Sequence, residues 1–178
     1  MRETDQREAA VVRYRIVPER SRVWIEARSS LHPIHGEATG LEGELKLRYA
    51  SGRLVTDPPP VLRLTLPVER LGSGNPLNDL QLRRVVHADR YPTISGEATS
   101  VEPYGDGYRV TGELTFHGVT RTVTDEVSVT PDGDGLVIEG AHEFDITDFG
   151  VSPPRILMLR VHPDVTVRIR AVAEPVTG

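Results

Sequence analysis

Histidines are the residues of this chain best suited to chemistry near neutral pH. An imidazole can bind a metal ion, act as a general base or anchor a polar ligand. The candidates are the pair His32 and His35, His117 before a glycine, and His142 in an alternating stretch. The chain has no cysteine, so thiolate nucleophiles and thiolate metal sites are excluded.

The pair His32 and His35 allows two interpretations. Two nearby imidazoles can contribute to a site for zinc or another divalent metal. Such a site needs three or four ligands, however, and Pro33 between the histidines excludes a regular helix. We therefore predict loop histidines that bond to the backbone, with no bound metal and no other cofactor.

His117 and His142 are predicted to lie on different faces of their respective strands. His117 follows the polar alternation of its strand, and is either a group at the rim of a ligand site or a turn residue beside Gly118. His142 shares the apolar parity of Ile138 and Phe144. It is either an ordinary core histidine or, if it faces a ligand, the best polar anchor or general base in the chain.

Other catalytic motifs are not supported by their contexts. The segment over 145–150 ends in Asp-Phe-Gly, but no glycine-rich loop, strand lysine or catalytic loop of a kinase accompanies it. The segment is predicted to be structural, with aspartate side chains bonding to the loop backbone. No serine lies in a nucleophile elbow, and no phosphate-binding or dinucleotide-binding loop occurs. No catalytic residue is therefore assigned.

Alternating strands must position these side chains. The pattern is clearest over 108–129, where two runs of period two meet at His117-Gly118, as in a β-hairpin. Roughly eight to ten such runs, separated by turn signals, predict an all-β fold, either an antiparallel barrel or a sandwich. Asn75-Pro76 and the helical spacing after them predict one short helix over 76–86.

Length and charge restrict the classes of function. The 178 residues suit a single domain, which we place at 11–178 after a disordered leader over 1–10. The net charge of −5 argues against a nucleic-acid partner. No run of about eighteen apolar residues predicts a membrane span. The polar N-terminus lacks the apolar segment of a signal peptide, so the expected location is the cytoplasm.

Four segments, in order, resemble the YceI-like family. The hairpin GELTFHGVTRTV over 112–123 resembles the family's signature, and 31–45, 88–100 and 144–151 resemble three further family segments. The resemblance covers about 14–173. It implies a lipocalin-like antiparallel β-barrel of about eight strands with a helix near one end. It also implies a lumen for a long apolar molecule, such as a polyisoprenoid or an isoprenoid quinone, and often a homodimer.

We therefore predict a binding or transport module that shelters an apolar, isoprenoid-like lipid. An ordinary filled core without a cavity is the structural alternative. The functional alternatives are a metal-binding protein or an enzyme, such as a cyclase, isomerase or dehydratase, which would need at least two ionisable groups in one pocket. The candidate ligand-binding residues are the histidines His35, His117 and His142 and the wall residues Trp24, Leu45, Leu47, Leu64, Leu66, Ile94, Leu114, Phe116, Ile138, Phe144, Val167 and Ile169.

Overall fold

The computed structural model describes residues 10–156 and 159–178, and most of them lie in β-strands. The predicted leader falls outside the described residues, apart from Ala10. The strands are β1 (Val12–Ile16), β2 (Arg22–Ser29), β3 (Ile34–Ala38), β4 (Glu42–Leu47), β5 (Tyr49–Ala50), β6 (Arg53–Leu54), β7 (Val61–Pro67), β8 (Leu71–Gly72), β9 (Thr93–Tyr104), β10 (Gly107–Phe116), β11 (Val119–Asp132), β12 (Gly135–Asp145), β13 (Arg155–Ile156) and β14 (Leu159–Pro175).

Eight of these strands close into an antiparallel barrel. They pair in the order β1, β4, β7, β9, β10, β11, β12 and β14, and β14 pairs back to β1. Strand β14 is long enough to pair with β2 over its first part and with β1 at its end. Strands β2, β3 and β8 continue the sheet from β14, in that order. The predicted all-β barrel is confirmed, and the sandwich is excluded because the ring closes.

Alternation of side chains explains why these segments form the wall. In β11, Val123 and Val127 are half-buried, whereas Thr124 and Glu126 between them are exposed. A period of two places successive side chains on opposite faces of a strand. One face of each strand therefore lines the barrel interior, and the other carries the charged and hydroxyl side chains.

One helix covers an end of the barrel. Helix α1 (Pro76–Val85) begins at its N-cap Asn75, whose side chain accepts a hydrogen bond from the Leu77 amide at 3.0 Å. Leu82 and Val85 pack against the core. The predicted helix is confirmed, with an end one residue earlier than expected. Within the described residues, no helix is both long and apolar enough to cross a bilayer.

Strands β3 and β14 lie in segments that contain a proline. His35 was expected in a loop, but it lies in β3, which begins at Ile34 directly after Pro33. Strand β14 continues through Pro163, which lies at a register shift between Val161 and Val165. A proline is tolerated at such a bulge because no ladder hydrogen bond needs its missing amide hydrogen.

Candidate functional site

Among the described residues, two cavities of about 230 Å³ each lie in the barrel interior. We call the one that Leu45 and Ile169 help to line the upper cavity, and the one that helix α1 covers the lower cavity. Three side chains line both cavities, and we call them the waist: Leu114, Phe144 and Val167. The cavities therefore meet at the waist rather than lying in separate parts of the molecule.

The two cavities are stacked along the barrel axis. On β14, Val165 lines the lower cavity, Val167 belongs to the waist, and Ile169 lines the upper cavity. The lining runs from Val161 to Ala171, which is roughly 33 Å along a strand and about 25 Å along the axis of a barrel with tilted strands. The lumen is thus long and narrow, a shape that suits a chain-like molecule.

An aspartate and a histidine meet in the upper cavity. Asp125 on β11 and His142 on β12 both line it, and Nδ1 of His142 is hydrogen-bonded to Oδ1 of Asp125. Their side chains are 26% and 27% exposed. The His142 ring also lies 4.2 Å, between centroids, from the waist residue Phe144. We call the two residues the Asp125–His142 pair.

The apolar surroundings change the acidity of Asp125. Burial raises the pKa of Asp125, and the hydrogen bond and the charge of His142 oppose that rise. Two further residues of the upper cavity have ionisable side chains that are already engaged. The Tyr108 hydroxyl accepts a hydrogen bond from the Leu54 amide at 2.7 Å. Glu97 is an exposed residue whose side chain pairs with Arg63.

The other ionisable residue beside the upper cavity is the exposed Glu113 of β10.

The lower cavity has little polar lining. Asn78 and Asp79 of helix α1 reach it, and Asp79 accepts hydrogen bonds from the Ser73 amide and hydroxyl, both at 2.7 Å. Among the described residues, the buried Oδ1 of Asn78 has no hydrogen-bond partner. The remaining wall is chiefly leucine, isoleucine, valine and phenylalanine, so this cavity suits an apolar group.

His117 lies in the turn between β10 and β11 and lines neither cavity. Its Nδ1 is 2.9 Å from the carbonyl oxygen of Phe149, within hydrogen-bond distance. Its ring packs against His87, with 5.4 Å between centroids, and against Tyr91 at 5.0 Å. His117 therefore joins the hairpin to the Phe149 segment and to the residues after helix α1.

The neighbours of His117 complete this joint, which we call the turn clamp. Arg121 donates through Nε to the carbonyl oxygen of Asp148 at 2.9 Å. Gly118 has a φ of 72°, and a Cβ there would lie 2.5 Å from the Tyr91 ring. Asp145 accepts a hydrogen bond from the Thr147 amide at 2.9 Å, which is the backbone role predicted for the aspartates of this segment.

Most of the predicted wall residues line the lumen. The apolar parity of each strand correctly indicates the inward side, because adjacent strands in a closed barrel all turn one face to the same interior. The upper cavity contains Leu45, Leu47, Leu64, Ile138, His142 and Ile169, the lower cavity contains Leu66, Ile94 and Phe116, and Leu114, Phe144 and Val167 form the waist.

Trp24 and His117 require correction, and His35 lies at the edge of the lumen. Trp24 is 41% exposed on the outer face of β2, since it shares the parity of Arg22 rather than that of Val23. His35 borders the lower cavity, but its side chain is 71% exposed and lies 3.6 Å from Glu26. His117 serves the turn clamp instead of a ligand rim.

The structure brings together no set of metal ligands around these histidines. Over residues 10–156 and 159–178, no group of three or more histidine, cysteine, aspartate or glutamate side chains is placed to hold a metal ion. His32 instead directs Nδ1 to within 3.0 Å of the Pro33 carbonyl oxygen. This contact matches the backbone bonding that the sequence predicts.

Asp125 is an ionisable residue of the lumen that sequence reasoning missed. It lies among the threonines of β11 and reads as one more polar residue, but it has the inward parity of Val123 and Val127. The turn between β11 and β12 could also have indicated its partner. Asp132 pairs with Gly135 beside that turn, and counting seven residues along each strand from this pair leads to Asp125 and His142.

These features define a class of protein: closed antiparallel barrels with a long internal cavity. The family model described as the YceI-like domain matches residues 14–173. The chain belongs to the YceI-like family. The resemblance that the four sequence segments indicate is thereby confirmed.

Curated relatives match over shorter stretches. The chain is 28% identical over 98 residues to a UPF0312 protein of Pseudomonas aeruginosa, and the match covers 51% of each protein. It is 39% identical over 54 residues to a UPF0312 protein of Yersinia pestis, covering 30% of this chain and 28% of the relative. The matches thus span about half the length of these relatives or less.

Solved structures share the fold. BcnA of Burkholderia cenocepacia has a TM-score of 0.76 at 20% identity, over 89% of this chain and 99% of BcnA. A polyisoprenoid binding domain from Saccharophagus degradans has a TM-score of 0.73 at 12% identity, over 93% and 99%. The YCEI protein of Campylobacter jejuni has a TM-score of 0.65 at 15% identity, over 82% and 86%. At these identities the likeness establishes the fold alone.

Proposed function

We propose that this protein binds an apolar, isoprenoid-like lipid inside its barrel and so sequesters or transports it. The observation that carries the proposal is the lumen: two stacked cavities, about 230 Å³ each, that share a waist of three apolar side chains. Burial of an apolar chain in such a lumen is favourable by about 25 cal/mol per Å². The likeness to a domain that is described as polyisoprenoid-binding supports the same class of ligand.

The exact lipid is the finer part of this proposal. A polyisoprenoid and an isoprenoid quinone both offer a long apolar chain for a lumen of this shape. Protein purified from its own host and measured by native mass spectrometry should carry a lipid, which extraction then identifies. Retention of no lipid, together with no uptake of added prenyl lipids, would refute the proposed function.

A variant that fills the lumen tests the location of the ligand. Gly96 lines the upper cavity, and a Cβ there would have its nearest neighbours at an ordinary contact distance of 3.9 Å. The change Gly96→Leu should therefore fold, occupy part of the cavity and weaken binding of a prenyl lipid by tenfold or more. Isothermal titration calorimetry measures the affinity, and thermal unfolding reports the fold.

An outward position on the same strand provides a matched control. Glu102 of β9 is exposed and lines neither cavity. The change Glu102→Leu adds the same side chain to the outer face of the barrel and should leave lipid affinity within about twofold. Equal losses for Gly96→Leu and Glu102→Leu would place the ligand outside the lumen.

The enzyme alternative has one observation in its favour. Asp125 and His142 are two ionisable groups that converge in one pocket, which is a requirement of an acid–base catalyst. Such a catalyst also needs donors directed at the charge that develops in the transition state. Within the described part of the chain, the upper cavity presents mainly aliphatic side chains, so we favour binding over turnover.

A homodimer and a cytoplasmic location remain predictions of the sequence analysis. We propose both as properties of the working protein. Sedimentation velocity of the purified chain tests the dimer, and fractionation of the host cell tests the location. A monomer at all concentrations, or recovery outside the cytoplasm, would contradict the respective prediction.

A further inference from the structure

The Asp125–His142 pair is an exception in a lumen built of apolar side chains. Partial burial of a carboxylate and an imidazole removes much of their hydration, which costs free energy even when they are paired. Aliphatic side chains at the same positions would serve a barrel that binds hydrocarbon just as well. The pair therefore points to a ligand that offers it a polar group.

We propose that the Asp125–His142 pair recognises an uncharged oxygen head group, such as the hydroxyl of a prenyl alcohol, and that Nε2 of His142 makes the contact. This inference rests on the proposed lipid-binding function and specifies the ligand of the same lumen. The apolar chain of the ligand extends from the pair past the waist into the lower cavity.

The hydrogen bond of His142 leaves one nitrogen for the ligand. Nδ1 is held by Asp125, which fixes the orientation of the ring. Nε2 has no hydrogen-bond partner among the described residues. Unlike Nε2 of His117, it is not buried away from any possible partner. The free nitrogen accepts from a hydroxyl when the ring is neutral and donates to an oxygen when the ring is charged.

The charges around the lumen favour an uncharged head group. In the part of the chain that the structure describes, neither cavity is lined by an arginine or a lysine side chain. A carboxylate or phosphate head group would therefore enter an apolar cavity beside Asp125 with no dedicated cation. A hydroxyl needs only a hydrogen bond, which Nε2 of His142 supplies.

The position of the pair indicates the direction of the ligand. The His142 ring lies 4.2 Å from that of Phe144, so the pair stands at the boundary between the upper cavity and the waist. A head group at Nε2 leaves the lower cavity for the tail. That cavity is lined by Leu66, Ile94 and Phe116, which suit an isoprenoid chain.

Paired ligands test the inference. The affinities of geranylgeraniol and of the hydrocarbon that has hydrogen in place of the hydroxyl are measured for the native protein and for the double variant Asp125→Val/His142→Leu. The native protein should bind the alcohol about tenfold more tightly than the hydrocarbon. The double variant should bind the two within about twofold, with its affinity for the hydrocarbon unchanged or higher.

A second pair of substitutions serves as the control. Arg28 and Asp164 form an exposed ion pair at 3.4 Å between β2 and β14, and neither lines a cavity. The double variant Arg28→Leu/Asp164→Val should keep the tenfold preference for the alcohol. Geranylgeranoic acid, which carries a carboxylate, should bind the native protein more weakly than the alcohol at neutral pH.

The outcomes separate the two proposals. If neither prenyl ligand binds the native protein, the lipid-binding function itself fails. If both bind with equal affinity, or if the double variant of the pair keeps the preference for the alcohol, the function stands and the head-group inference is overturned. Tighter binding of the acid than of the alcohol would also overturn it.

Discussion

Two histidines in neighbouring parts of this barrel have opposite roles. His117 belongs to the most recognisable sequence motif of the chain, yet it lies in the turn clamp and contacts Phe149, His87 and Tyr91. His142 belongs to no motif, yet it shares the upper cavity with Asp125. In this barrel the histidine of the strongest sequence motif maintains the architecture, while the histidine that meets Asp125 in the upper cavity lies outside that motif.

The physical reason is the kind of constraint that each region imposes. The turn clamp needs particular residues because its backbone is unusual: His117 and Gly118 both have positive φ, at 55° and 72°. The lumen needs only side chains that are apolar and of suitable size, so many sequences satisfy it. A motif therefore marks the clamp more strongly than it marks the lumen.

The largest effect is expected in the turn clamp. The change Gly118→Ala places a Cβ 2.5 Å from the Tyr91 ring, which is a steric clash. It also forces alanine to adopt a φ of 72°, which strains the backbone. We expect a loss of about 3 kcal/mol in the free energy of unfolding, measured by urea denaturation. Gly133→Ala is the control, since Gly133 has a φ of 62° and open space around it. Equal losses for the two variants would show that Tyr91 does not constrain the turn.

The Asp125–His142 pair should have the next largest effect. The change His142→Leu leaves Asp125 without its partner in the apolar cavity and should cost about 2 kcal/mol in the free energy of unfolding. Adding Asp125→Val should recover most of that loss, because an apolar pair needs no hydrogen bond. Denaturation of both single variants and the double variant completes the cycle. Additive losses would mean that the two side chains do not interact.

The smallest effect is a dependence of stability on pH. Burial raises the pKa of Asp125 above the ordinary value of about 3.9. The folded chain then holds this proton more tightly than the unfolded chain. The resulting stability is fully present below the ordinary pKa of the unfolded chain, and it is lost as pH rises through the raised pKa of the folded chain. Relative to Asp125→Asn, the native protein should therefore lose stability as pH rises above about 4, measured by urea denaturation at several pH values.

Glu44 supplies a control of the opposite sign. Its hydrogen bond with Arg13 at the surface lowers the pKa of Glu44. Relative to Glu44→Gln, the native protein should therefore gain a little stability as pH rises from the lowered pKa of Glu44 to its ordinary pKa of about 4.3. The same slope for Asp125→Asn and Glu44→Gln would contradict the assignment of Asp125 to a buried setting.

Much of the fold could be predicted because it depends on local patterns. The period of two fixes which side of each strand faces inward, and the cap Asn75 with Pro76 fixes where helix α1 begins. Trp24 shows the limit of composition as a guide. A large aromatic residue suggests burial, but its neighbours Arg22 and Glu26 have the same parity, and the strand places all three outside.

By itself, the sequence determined the all-β class, the helix and the inward residues of most strands, because these follow from the spacing of side chains along a single segment. Only the tertiary structure decided that the ring closes, that the interior keeps two cavities, and that Asp125 meets His142 there. These features depend on contacts between residues far apart in the chain and on how completely the inward side chains fill the space. Neither quantity is fixed by a local pattern, since closure and filling are properties of all the strands together.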